Sequence, residues 1–171
     1  MEPPKELDWA RAALCSAHDR FKQDFEGRDV AAWYASLGET LWWIAVLDEQ
    51  YWNRNPSVYE ELRENDEDGY VIAGLRLARN RVGHQLALLL VNPDGSPVSS
   101  SQPAGLSLDT PVWRQLKNLP PVKKHYADKE KKQRPVYEAR LAGNPPRFAL
   151  AHARRFFIRR GAALDSAIFS P

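Results

Sequence analysis

Cysteine and methionine are nearly absent: the 171-residue chain has one of each. The lone Cys15 excludes an internal disulfide and any zinc cage built from several thiolates, and it fits a reducing compartment. Its place in a helical pattern reads as a core thiol. The four histidines, His18, His84, His125 and His152, lack metal-ligand spacing, so neither a metal nor a cofactor is expected. Apolar runs stay well short of the ~18 residues of a membrane span. The first residues, MEPPKELDWARAALCS, lack a basic segment followed by an apolar core, unlike a signal peptide. Together these absences read as a soluble cytoplasmic protein with no membrane partner.

Apolar residues make up 43% of the chain and six are Trp, enough for a packed core in one domain over 1–171. Charge is divided along the chain. Residues 1–70 hold seven Lys/Arg and sixteen Asp/Glu, a net of −9; residues 114–160 hold fourteen and three, a net of +11. Two readings stay open: an anionic partner for the basic end, or neutralisation of one half by the other within the fold or between subunits.

Helical periodicity dominates. Asp8 can cap a helix to about Glu26, with Leu14, His18, Phe21 and Phe25 on one face. Asp29 can cap a second, from Val30 to about Asn53. Its stripe is Trp33, Leu37, Ile44, Leu47 and Tyr51, and Trp42 and Val46 lie opposite, so it is apolar on two faces, as in a bundle or at a subunit contact. SVYEELREN reads as a short helix. A third long helix is expected from about Gly69 to Val91, ended by the NPDG turn; a small hairpin of Leu88–Val91 with Pro97–Ser99 is the alternative. Residues 96–110 read as a surface loop. A Trp113/Leu116 anchor follows, then LPPV and the basic run KKHYADKEKKQR, whose plain reading is a solvated loop. RPVYEARLAG is a short helix stopped by Gly143. Pro145 opens a last helix to about Leu164. The expectation is an all-α bundle of four to five helices, with a basic, loop-rich insertion (92–133) before a basic C-terminal arm (134–171).

The third helix contains LARNRVGHQL, residues 77–86. Leu75, Ala78, Val82, Leu86 and Leu89 share one face, with Arg79 about 40° from its centre; Ala73, Leu77, His84 and Leu88 lie opposite. A guanidinium near the core needs an acceptor. Asp48 is the expected partner of Arg79, with Glu39 as the competing choice. Gly83 costs about 1 kcal/mol relative to Ala mid-helix, which points to close approach of a backbone or a ligand there.

Arg79, Asn80 and His84, with four residues between Arg and His, resemble the motif of the HEPN superfamily. The acidic first half, LWW segment, RNRVGH helix and basic arm are similar to an uncharacterised bacterial branch. The resemblance implies a dimeric, metal-independent endoribonuclease in toxin or antiviral defence, without cofactor. Arg79, Asn80 and His84 from two protomers would form one cleft, and an antitoxin or regulatory partner would be in keeping. Other members of the superfamily only bind RNA or nucleotides. Leu86 stands where one toxin branch has Tyr, which argues against that branch. On a straight helix Arg79 and His84 lie about 140° apart, so a kink at Gly83 or the second subunit is needed to bring both to one phosphate. RNA would be held by Lys123, Lys124, Lys131, Lys132, Arg154, Arg155, Arg159 and Arg160, with Tyr126 stacking on a base.

Overall fold

The computed structural model describes residues 5–27, 29–85, 89–98 and 110–169, with the side chains of residues 84 and 85 outside the description. The fold is all-α. Helix α1 spans Lys5–Gly27 and α2 spans Val30–Arg54. Asp29 caps α2 as expected, its carboxylate accepting from Ala32 N at 3.0 Å. Asp8 does not cap α1. The helix starts at Lys5, and Asp8 sits in its first turn, paired with Arg11 one turn on. Asn55 ends α2 and caps α3, Pro56–Glu64, with Pro56 at the first turn where its missing N–H costs nothing.

The expected third long helix is two helices and a strand. Asp66 caps the single turn α4, Glu67–Tyr70, and after Val71 the chain resumes as α5, Ile72–Gln85. Leu90–Val91 is strand β1, antiparallel to β2, Val112–Trp113, with Leu90 opposite Trp113. Of the alternative hairpin, the described residues show one bridge, Val91 to Pro97, while residues 88 and 99 lie outside the described residues. Trp113 is the expected anchor. It is fully enclosed and bonded on its other edge to 143–144.

The described part of the insertion carries a 3-10 turn, Leu116–Asn118, and helix α6, Lys124–Lys129. Helix α7, Gln133–Val136, continues into a π-helical turn, Tyr137–Leu141, and Gly143 at φ 75° ends it. The expected last helix is broken at Arg160 into α8, Pro146–Arg159, and α9, Gly161–Phe169. Gly161 stands where a side chain would press on Arg11, with Cβ 3.3 Å from its Cδ.

Helix α2 is central, packed on α1 and α5. It has no unbroken apolar run of membrane-spanning length, but by overall length and composition it is apolar enough to cross a membrane. Here its stripe is core: Trp33, Leu37, Leu41, Ile44, Leu47 and Tyr51 are buried. Tyr51 stacks on Tyr59 (5.6 Å between centroids) and on Phe157 (6.2 Å), joining α2, α3 and α8. Its second apolar side is not core, since Trp42 is 51% exposed and Val46 half-buried.

Gly69 sets the distance between α4 and α8. A Cβ there would lie 2.7 Å from both Arg63 O and the Phe156 ring, so α4 approaches α8 as closely as it does because this position has no side chain. That approach brings Asp68 to the arginines of α8.

Candidate functional site

Arginine is held in opposite ways on the two faces of α5. Leu75, Leu77 and Ala78 are buried, as the periodicity indicates. The enclosed cation is Arg81, 3% exposed, four residues after Leu77 and therefore on that residue's side. Its Nε and Nη2 donate to Glu130 at 2.9 and 2.7 Å, and its Nη1 donates to the Pro120 carbonyl at 2.5 Å. Glu130 is 4% exposed, so the pair is fully desolvated and bidentate, the geometry that offsets the burial of two charges. It fastens the segment carrying α6 to α5. Sequence reasoning missed it. The signal was the i, i+4 spacing from Leu77, but the acidic partner stands 49 residues away among lysines.

Arg79 lies on the outer face, half-buried. Its guanidinium sits 4.8 Å from the centroid of the Trp42 ring, and Nη1 donates to Asn80 Oδ1 at 3.4 Å. Among the described residues it has no carboxylate partner. The expected pairing with Asp48 is corrected: Asp48 is fully enclosed, Oδ1 accepting from Tyr59 (2.9 Å) and Arg63 (3.0 Å), and Oδ2 from Arg76 (2.8 Å). Arg76 is one turn before Arg79 and reaches the carboxylate first. Burial beside this carboxylate pushes the Tyr59 hydroxyl far above its ordinary pKa. The competing choice, Glu39, pairs with Arg20 of α1 at 2.5 Å on the surface. Trp42, Arg79 and Asn80 thus form one continuous outer surface, α5 running on through residue 84. A Cβ at Gly83 would meet nothing within 4 Å among the described residues, so packing within the chain does not require that glycine.

The basic residues divide into two groups. Lys123 and Lys124 at the start of α6 are exposed, as is Tyr126, whose ring lies 3.9 Å from that of His125. Lys131 pairs with its neighbour Asp128 at 2.9 Å, and Lys132 reaches Glu60 of α3 at 2.8 Å. On α8 the acidic half supplies the partners. Arg154 faces Asp19 of α1 at 3.6 Å. Asp68 accepts from Arg155 Nη2 at 2.9 Å and from Arg159 Nη2 at 2.8 Å, and meets His152 Nδ1 at 2.6 Å. Arg160 Nε donates to Asp66 at 2.8 Å. Burial raises the Asp68 pKa, but the hydrogen bonds from Arg155 and His152 outweigh it and leave the carboxyl below its ordinary value. These residues line an open cleft of about 380 Å³ between α4 and α8. For this group, neutralisation within the fold is the reading the structure bears out.

Among the described residues no cluster of His, Cys, Asp and Glu could hold a metal ion. Compared with known protein families, with curated proteins and with solved structures, the chain matches none.

Proposed function

We propose that the outer face of α2 and α5 binds single-stranded RNA in the cytoplasm, and that Arg79, Asn80 and His84 cleave it there without metal, in the manner of the HEPN superfamily. The observation that carries this reading is the setting of Arg79, which has no carboxylate partner among the described residues. Its guanidinium rests on an exposed Trp ring with an amide beside it. Arg stays protonated and can clamp a phosphate bidentately. Exposed indole is a stacking surface for bases, whatever their sequence.

In the cleavage step a neutral imidazole takes the proton of the RNA 2′-hydroxyl. The 2′-oxygen attacks phosphorus, and the bond to the 5′-oxygen breaks as an imidazolium protonates that leaving oxygen. The products are a 2′,3′-cyclic phosphate and a 5′-hydroxyl. Arg79 stabilises the charge that develops on the phosphoryl oxygens. Two protomers supply two His84, one acid and one base. Defence against foreign nucleic acid, or toxin activity held by an antitoxin or regulatory partner, is the setting such an enzyme fits.

A binding module without catalysis is the second reading. It is favoured by the composition of the described face, because Trp42, Arg79 and Asn80 are all binding groups. One experiment separates the two: labelled single-stranded RNA and tRNA incubated in excess EDTA with wild type and with His84→Ala. Cyclic-phosphate ends that the variant fails to produce support cleavage. RNA retained intact and equally by both proteins supports binding alone.

A further inference from the structure

We infer that the cleft between α4 and α8 is a second anion site, built for the phosphate of a phosphomonoester and separate from the face of α5. Both oxygens of Asp66 are occupied: Oδ1 accepts from the N–H groups of Asp68 (2.9 Å) and Gly69 (3.2 Å), and Oδ2 from Arg160. Asp68, 8% exposed at the side chain, is engaged at both oxygens by Arg155, Arg159 and His152. The carboxylate oxygens are therefore spent.

The guanidinium groups are not. Each arginine has five N–H donors. Arg155 uses Nε and Nη2, Arg159 uses Nη2, and Arg160 uses Nε. Each thus keeps donors on the remaining nitrogens. Their side chains are 49%, 62% and 54% exposed, and all three line the same open cleft. Buried carboxylates behind, fixing guanidinium groups in front, is an arrangement that holds several donors in place before a ligand arrives.

His152 completes it. Its Nδ1 lies 2.6 Å from Asp68 Oδ1, too close for two bare acceptors, so the ring proton sits between them. Arg155 Nη2, 2.9 Å from the same nitrogen, cannot then be donating to it, which leaves the second hydrogen of that Nη2 for an incoming anion. A terminal phosphate offers three oxygens to three arginines. An internal phosphodiester offers two and carries two bulky esters. Glu67 stands exposed at the rim and opposes any anion. The cleft volume of about 380 Å³ suits a phosphate and its nearest atoms.

Thermal unfolding would be followed as inorganic phosphate is titrated against chloride at matched ionic strength, with wild type, Arg159→Gln/Arg160→Gln and Glu67→Gln. The expected result is a saturable rise in melting temperature for wild type. The arginine variant loses it, and Glu67→Gln saturates several-fold earlier. In the arginine variant Asp68 keeps Arg155 and His152, and each variant's response is read against its own melting temperature without phosphate. No rise beyond that given by chloride, or a rise that persists in the arginine variant, overturns the proposal. Adenosine 5′-monophosphate beside phosphate identifies the source. Tighter binding of the nucleotide assigns the site to nucleotide or RNA ends, and equal binding assigns it to free phosphate. Arg79→Ala leaves this response unchanged, which keeps the test independent of the RNA reading.

Discussion

On its inner face α5 carries Arg81, enclosed and locked to Glu130 by two hydrogen bonds. On its outer face it carries Arg79, spread on Trp42 with no carboxylate among the described residues. Two arginines two residues apart thus meet opposite conditions. Inside, a cation without a counter-charge would unfold the helix from its neighbours, so the pairing is structural and leaves nothing for a ligand. Outside, solvation removes that demand, and the guanidinium can answer an anion that arrives. The arginines of α8 fall between. Their carboxylates are buried, but their own heads are exposed and only partly used.

The comparison breaks most severely at the inner face. Glu130→Gln leaves Arg81 buried without its counter-charge, and a loss of about 3–5 kcal/mol is expected in chemical denaturation. A loss below 1 kcal/mol would mean that Arg81 escapes to solvent.

A smaller effect concerns pH. His18 is buried, its Nδ1 3.7 Å from Asp19 Oδ1 and without a hydrogen-bond partner among the described residues; burial lowers its pKa below 6.5, and the nearby Arg154 lowers it further, with Asp19 opposing. A group with a depressed folded pKa favours the deprotonated state. Its contribution is present above the unfolded value of about 6.5 and is lost as pH falls through the folded value. Stability therefore declines from pH 7 towards pH 5, and His18→Leu flattens that part of the profile. Asp68 adds a separate acid step. Its pKa is also lowered, so its contribution is intact above about 3.9 and disappears below it.

The smallest effect on stability sharpens the contrast. Arg79→Ala removes one cation–π contact at a half-exposed site and is expected to cost less than about 1 kcal/mol in the same denaturation experiment. Arg79 and Arg81 thus separate by several-fold in stability, although either could pass for the buried cation in the sequence.

The architecture was legible where the chain signals locally. Asp29 and Gly143 mark boundaries that hold, and the stripe of α2 is the core. Long-range partners were not legible. Leu90–Val91 reads as helix until Val112–Trp113 arrives to pair with it. Asp48 was expected to take Arg79 and instead takes Arg76; the two arginines are one turn apart, and only the packing chooses between them. The break at Arg160 was visible only as Gly161, whose reason lies in Arg11 of α1. The charge split was plain, yet which lysines and arginines it leaves over depends on the approach of α4 to α8 that Gly69 permits.

The proposed hold of Arg79 on RNA at the outer face of α5 is measured by fluorescence anisotropy of a labelled single-stranded RNA with 5′-hydroxyl ends, comparing wild type, Arg79→Ala and Arg159→Gln across a salt series. About tenfold weaker binding is expected for Arg79→Ala, roughly 1.4 kcal/mol, with Arg159→Gln close to wild type. Equal affinity of wild type and Arg79→Ala would contradict it.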